Sequence, residues 1–532
     1  MDRIKWLIIL ICTSSVYLAS AKDYYALGLE EFKVYNDVAA IADFTKAIQL
    51  NPTDERAYCK RGNAKYHLKD YLGALIDCTK SIEINPKYTE AYNIRGLIKR
   101  AMKDSLSAIN DFNIVLGISP RNVEEFNARG DTKLYLKDYG GAMDDYKRAL
   151  ELDTVNTDAY IFMGDTKVLQ KQYKEGIDYF SKALAIDPNN IRAYKSRANA
   201  KYELEDYKGA ITDFTYAIQL CPNYFLLYFD RGTNYYKVQN YKAAIDDFTK
   251  AIAINPRFEY SYDWRSDSKF EIKDCKGAIN DHTKAILLNP KESDYYFKRG
   301  RAKHYLGNFQ EAIIDFDKAI ELDPKSDYAY NYRGHAHSYL QEYKEALKDY
   351  TFAMKIKPES SIYFYNVGLA QYRTNDFTSA ISSFDQSLKI DPNYEPAYSY
   401  RGISKAEIKD YNGALSDIEY AIKLDSTDAQ NYYEKGKIAY LLNSPDQAIR
   451  NIDQAIKADS KNDVYYSARA CAKYLNVDYR GAIEDFTIAI QLNPKDGSYY
   501  HYRGMAEFQL KETKSSKEDF DKAIKLGYKS AK

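Results

Sequence analysis

Ser293–Ser326, SDYYFKRGRAKHYLGNFQEAIIDFDKAIELDPKS, is the stretch that decides how the rest of the chain is read. The same 34-residue pattern recurs in register, without insertion or deletion, from Ala21 to Ser530, giving fifteen contiguous copies. A period of this length marks a small supersecondary unit that cannot bury its own apolar side and must stack on its neighbours. With Ser293 as position 1, each position acquires a physical role. Position 4 is aromatic in all fifteen copies, with Phe126 and Phe364 the only departures from Tyr, and such regularity predicts a buried ring. Position 8 is Gly in twelve copies. Glycine inside a helix costs about 1 kcal/mol relative to alanine, so the residue is expected to be kept small by a close neighbour. Position 20 is Ala in thirteen copies, and position 24 is mostly Phe or Tyr, so small and aromatic residues alternate along one seam.

The punctuation predicts two helices per copy. Apolar residues fall at helical spacing over positions 2 to 14, and again at positions 20, 21, 24, 27 and 28. Asn or Asp at position 16 is placed to cap the second helix, with Asn308 and Glu311 spaced as a capping box. Pro at position 32, present in eleven copies, stops the second helix, because it disfavours the helical conformation of the residue before it.

Gly300, Ala312, Phe316, Ala319 and Pro324 stand where the tetratricopeptide repeat has its small, aromatic and terminal residues, and the chain resembles that family over its whole repeated length. It departs at Tyr296, Arg299 and Lys303, where the family pattern has Trp, Leu and Tyr. The resemblance implies an all-α fold, a right-handed superhelical solenoid of antiparallel helix pairs, here one continuous array of fifteen units over residues 21–530. It also implies a concave groove lined by positions 2, 5, 9, 12 and 13 of the first helices.

The departures carry their own chemistry. Position 7 is Arg in eleven copies, and in each of these position 23 is Asp, as in Arg61 with Asp77, Arg299 with Asp315 and Arg333 with Asp349. Where Arg is lost the partner usually changes too, to Met163 with Tyr179, Val367 with Ser383 and Lys435 with Asn451. This predicts an Arg–carboxylate contact between the two helices of a unit, structural in role. In the last copy Thr513 and Ser516 replace an aromatic and an Ala, which suits a face meeting water.

The candidate groove residues are Tyr66, Tyr202, Tyr236, Phe270, His304, Tyr372 and Tyr440 at position 12, Lys195, Phe229 and Phe297 at position 5, and Asn199 at position 9. Rings with polar tips give large contact area at low ordering cost, which suits recognition. The same rings at helical spacing also suit packing between neighbouring first helices. Lys195 and Asn199 match the start of the carboxylate clamp that some family members use, but Asp230, Tyr260 and Trp264 stand where that clamp needs Asn and two basic residues, so no clamp is expected.

With 76 basic and 76 acidic residues the chain has no net charge, which argues against nucleic acid as a partner. The six His residues form no i, i+4 ligand pair, no phosphate loop joins a strand to a helix, and no catalytic constellation is found, so neither a cofactor nor a metal nor an enzymatic activity is expected. Cys59, Cys78, Cys221, Cys275 and Cys471 occupy five different repeat positions and predict isolated thiols. Residues 1–21 lie outside the repeat. Arg3 and Lys5 precede apolar runs that end at Ala19-Ser20-Ala21, the pattern of a secretory signal cleaved after Ala21. The rival reading is an uncleaved membrane anchor, short and interrupted at Thr13–Ser15. The expectation is therefore a non-enzymatic scaffold, exported to the periplasm or cell exterior, that binds peptide segments or surfaces of other proteins in a Tyr-rich groove. The alternative is a structural component of a membrane or envelope assembly, held at a membrane only if the leader is retained.

Overall fold

The computed structural model describes residues 20–529, so all but the last two residues of the expected leader, 1–21, and the last three residues of the chain lie outside it. Among the described residues the chain forms thirty α-helices in fifteen tandem pairs, with no strand. It divides into two compact units, the first ending at Ser268 and the second beginning at Lys269. No helix among the described residues is long and apolar enough to cross a membrane. In every repeat the first helix spans positions 1–13 and the second begins at position 17, as in Ser293–Tyr305 and Phe309–Leu322 of repeat nine. Within each unit a helix packs mainly on the helices before and after it, and first helices of adjacent repeats also touch.

The turn between the two helices is the same in all fifteen repeats. Position 15 always has positive φ, from 53° to 80°, although only Gly307 among these residues is a glycine. This left-handed residue ends the first helix while the amide of position 16 donates back to the carbonyl of position 11, as Asp70 does to Lys65 at 2.9 Å. Where position 16 is Asp, its carboxylate then accepts from the position 19 amide, with Asp70–Gly73 at 3.0 Å and Asp478–Gly481 at 2.9 Å. The expected capping box of repeat nine is not made. Asn308 makes no side-chain cap, and Glu311 instead faces Lys303 at 3.7 Å. Pro445, at the same junction of repeat thirteen, takes the first helical position, where its missing N–H costs nothing.

The most consistently buried rings stand at position 24, which is Cys78, Ile418 and Ile452 in the three repeats that lack one. Phe44, Phe112, Tyr146, Phe180, Phe214, Phe248, Phe316, Phe384 and Phe486 are all but fully buried. Each ring that faces a position 8 glycine lies directly on it. A Cβ added at Gly300 would stand 2.7 Å from the Phe316 ring, and one at Gly130 would stand 2.5 Å from Tyr146. The position 4 rings behave differently from expectation. Only Tyr92 and Phe126 are buried, and the other thirteen are half-exposed. They serve as platforms, because the position 7 guanidinium lies over the position 4 ring in all eleven Arg-bearing repeats, at 5.2–5.9 Å from the centroid. Residues three apart share one helix face, which brings ring and cation together.

That guanidinium joins three helices. In the ten Arg–Asp pairs that lie within one unit, Nε donates to Asp Oδ2 at 2.7–3.0 Å and Nη2 to Oδ1 at 2.5–2.8 Å. In nine of these ten, all but Arg95, Nη1 reaches back to position 25 of the preceding repeat, as Arg61 does to Thr45 at 3.2 Å, Arg197 to Ser181 at 3.0 Å and Arg469 to Asp453 at 2.6 Å. The Asp is buried and usually holds a second cation from position 11, with Lys65–Asp77 at 2.8 Å and Lys303–Asp315 at 2.9 Å. Where Arg is absent, parts of this network survive. Lys435 pairs with Glu419 of the preceding repeat at 3.0 Å, and Ser383 donates to Gln371 at 2.7 Å. Ser516, expected to meet water, is buried and donates to the Gly504 carbonyl at 2.8 Å, which satisfies its hydroxyl inside the seam.

Two outcomes follow from these contacts. Asp315→Ala strands Arg299 and Lys303 beside a buried void, and the expected loss is about 3–5 kcal/mol in denaturant unfolding of the unit that carries it; a loss no larger than that of an exposed-acid control such as Asp144→Ala would show the network to be idle. Val477, a β-branched residue at φ 65°, carries the left-handed penalty in full. Val477→Gly is expected to raise stability by about 1 kcal/mol, read as a higher midpoint in the same titration.

Candidate functional site

The candidate site is the face of the first helices formed by positions 2, 5, 6, 9, 12 and 13. Its position 12 rings are half-buried in a seam and are held from two sides. On one side five of the candidate rings meet the ring that opens the second helix of the same repeat, with Tyr66–Tyr71 at 5.9 Å, Tyr202–Tyr207 at 5.4 Å, Tyr236–Tyr241 at 5.3 Å, His304–Phe309 at 5.1 Å and Tyr372–Phe377 at 5.6 Å, whereas Cys275 and Pro445 open the helices that follow Phe270 and Tyr440. On the other side is position 6 of the next repeat, with Tyr236–Trp264 at 5.3 Å, His304–Tyr332 at 6.0 Å and Tyr372–Tyr400 at 5.7 Å. These rings both pack neighbouring first helices and present an edge to solvent.

The remaining candidates fall into local groups. In the first unit, Phe229 lies between Phe248 at 5.8 Å and Phe258 at 5.1 Å, and the Lys195 ammonium sits over the Tyr224 ring at 5.5 Å. Asn199 is exposed one turn away. Asp230, where the carboxylate clamp needs Asn, is pushed up to about 6 by burial, with Lys195 opposing the shift. In the second unit, Phe270 is stacked under Arg301 at 4.3 Å and meets Tyr305 at 5.8 Å, while Phe297 packs on Tyr332 at 5.4 Å and Phe316 at 6.0 Å. Cys59 and Cys78 are free, buried thiols.

Among the described residues, cavities open on this face in three places. One, in repeats three to five, is bordered by Arg100, Glu124, Asn127, Asp131, Asp158 and Phe162. Arg100 pairs with Asp131 there at 2.6 Å. A second, of about 430 Å³, lies across repeats eleven to thirteen between the Tyr372 and Tyr400 rings and the carboxyl groups of Glu395, Asp428 and Glu434. A third, of about 140 Å³, lies across repeats thirteen to fifteen and is lined by Tyr440, Cys471, Tyr474, Phe486, Tyr502 and Met505. Of these linings Tyr372 and Tyr440 are among the candidates read from sequence, and Tyr474 stands at the same position 12. Phe162, Tyr400, Glu434 and Tyr502 stand at position 6, a position that the groove pattern leaves out, although it is aromatic in five repeats, at Phe162, Trp264, Tyr332, Tyr400 and Tyr502.

Tetratricopeptide-repeat family models match residues 55–88, 126–156, 157–190, 225–258, 293–326, 333–395 and 429–462, in phase with the helix pairs. The chain belongs to the tetratricopeptide repeat family. The fold of this family is that of a protein–protein interaction scaffold. Similar solved structures include the APC/C hetero-tetramer Cut9–Hcn1, at 15% identity over 92% of this chain and 97% of that one, with a TM-score of 0.39. Yeast Tom70 is similar at 17% identity over 86% and 96% of the two chains, with a TM-score of 0.32. A tetratricopeptide repeat protein from Parabacteroides merdae matches at 19% identity over 47% of this chain and 98% of its own, with a TM-score of 0.39. No curated protein sequence matches the chain.

This tetratricopeptide repeat protein carries, on the same face, a pair of histidines whose pKa values burial lowers. His335 is boxed by Tyr332 and Tyr350, takes a 3.0 Å hydrogen bond between Nδ1 and the Tyr350 hydroxyl, and is pushed down to about 4 by burial and by His304. His304 is also lowered by burial, and its Nε2 is buried without a partner. A histidine whose folded pKa lies below its unfolded value of 6.5 supports folding when neutral, so stability is lost as pH falls from about 6.5 to about 4. The loss assigned to His335 is about 3 kcal/mol, and His335→Gln is expected to flatten the unfolding free energy of the second unit over that window; an unchanged pH slope would show that the imidazole is not held neutral.

Proposed function

We propose that this chain is a non-enzymatic scaffold that binds extended segments or surfaces of other proteins along the first-helix face, outside the cytoplasm. The observation that carries this reading is the recurrence of cavities at the same helix positions in repeats three to five, eleven to thirteen and thirteen to fifteen. Half-buried rings supply rigid apolar area with polar tips beside these cavities, and rings already held by their neighbours lose little freedom on binding. The opposite, second-helix face also carries exposed apolar side chains, Leu72 and Ile76 one turn apart in repeat two and Ile314 in repeat nine, and a cavity beside Tyr58, Leu75 and Ile76, but that cavity lies within a single repeat. The leader-like pattern of residues 3–21 supports a site of action beyond the cytoplasm.

The test is site-specific photocross-linking in cells of the source organism, with benzoylphenylalanine placed at Asn199 or Gln430 on the first-helix face and at Ile314 on the other. Adducts to a different protein from the first two positions, and none from the third, are expected. Adducts only from Ile314, or only between copies of this chain, would overturn the reading and favour a structural assembly.

A further inference from the structure

The cavities of repeats eleven to thirteen and thirteen to fifteen follow one another along the first-helix face of the second unit, and their chemistry is opposite. In the former, the Tyr372 and Tyr400 rings meet at 5.7 Å and an interplanar angle of 73°, forming an aromatic corner. Glu395, Asp428 and Glu434 bring three carboxyl groups to the same space against the one cation of Arg373. Glu434 is 6% exposed and is the deepest of the three. Its carboxylate accepts from Gln430 Nε2 at 2.9 Å and from Lys437 Nζ at 3.4 Å, and Glu395 accepts from Asn431 at 2.7 Å. The chain's own cations nearby are Lys437, on Glu434 at 3.4 Å, and Arg373, over the Tyr372 ring at 5.9 Å. Burial holds the Glu395 and Glu434 carboxyls above their usual range, the state expected of acids short of positive charge. An aromatic corner faced by carboxylates recognises an ammonium or guanidinium group, through ring quadrupoles and charge-assisted hydrogen bonds together.

The next cavity holds rings, a thioether and the thiol of Cys471, which burial pushes up to about 11 and so keeps neutral. Its volume, about 140 Å³, is close to that of an engineered apolar cavity of about 150 Å³ that admits benzene. A neutral, ring-lined hole of this size takes one large apolar side chain. With first helices about 10 Å apart, two repeats separate the cavity centres by roughly 20 Å, which about six extended residues span.

We propose that repeats eleven to fifteen take a partner segment in which a Lys or Arg side chain and a large apolar side chain, about six residues apart, fill these two cavities. This rests on the scaffold reading above and specifies the segment that it binds.

The experiment is selection of a phage-displayed random twelve-residue library on the immobilised full-length chain, followed by anisotropy measurements on an enriched, fluorescein-labelled peptide. Enriched sequences are expected to pair Lys or Arg with Phe, Leu, Ile or Met at that spacing. Glu434→Gln and, keeping the helix cap, Asp428→Asn should each weaken the peptide by about tenfold, and replacing the peptide's basic residue by Ala should do the same. Combining Glu434→Gln with that peptide change should cost no more than either alone, because both remove one contact. In parallel, bound peptide should slow maleimide labelling of Cys471 and leave Cys221 unaffected. Additive losses, or enriched peptides without a basic residue, overturn the inference while leaving the scaffold reading intact. Failure of the unmodified chain to enrich any peptide overturns both.

Discussion

The guanidinium at position 7 does three things at once: it forks onto a buried carboxylate of its own second helix, lies on a ring one turn earlier in its own first helix, and reaches an acceptor on the second helix of the repeat before. Removing such a charge from water is expensive, and it is offset because each guanidinium nitrogen of Arg299 finds an acceptor and a second cation shares the aspartate. A hydrophobic contact between helices tolerates sliding, whereas a planar fork does not. The fork therefore fixes both the depth of each hairpin and the register between consecutive hairpins. The position 8 glycine, closed by the position 24 ring, sets the distance between the same two helices from the other side of the seam.

Repetition made the architecture legible, because fifteen in-phase copies average out local exceptions. The Arg–Asp pairing could also be read, since two positions sixteen apart change together. The third partner, at position 25, was just as visible: it carries an acceptor side chain in fourteen copies, and its exception, Lys147, immediately precedes the repeat in which Met163 replaces the arginine. It was missed because an inter-repeat contact has to be sought across the boundary chosen for the unit. The position 4 ring was misjudged for a different reason. Invariance was taken for burial, but this ring is kept because a cation needs its face, and that face points partly to water. The Asn308 capping box failed because the glutamate that would close it lies within reach of Lys303.

Binding residues were harder to foresee than framework residues. The seam rings of position 12 repeat with the fold and so look like structure, while the cavities arise where a repeat departs from its neighbours. Glu434 takes a position occupied by Tyr400 one repeat earlier, and Cys471 one occupied by Lys437. A departure of this kind has no periodic signal. Its meaning lies in which other side chains share the cavity, and only the folded arrangement brings together Tyr372, Tyr400, Glu395 and Glu434 from three successive repeats.

The reach of these arginines into the preceding repeat also defines what can be exchanged. The smallest self-consistent module is not the hairpin but a hairpin together with the last helix before it. A recombination that joins any two repeats preserves the framework when an acceptor at the upstream junction meets an arginine downstream, as Thr249 meets Arg265. A shuffle that set Lys147 before Arg197 would instead oppose two like charges across the new boundary. Lengthening or shortening the array by whole repeats is therefore governed by a two-letter compatibility rule at each joint, one that leaves the residues of the binding face free to diverge.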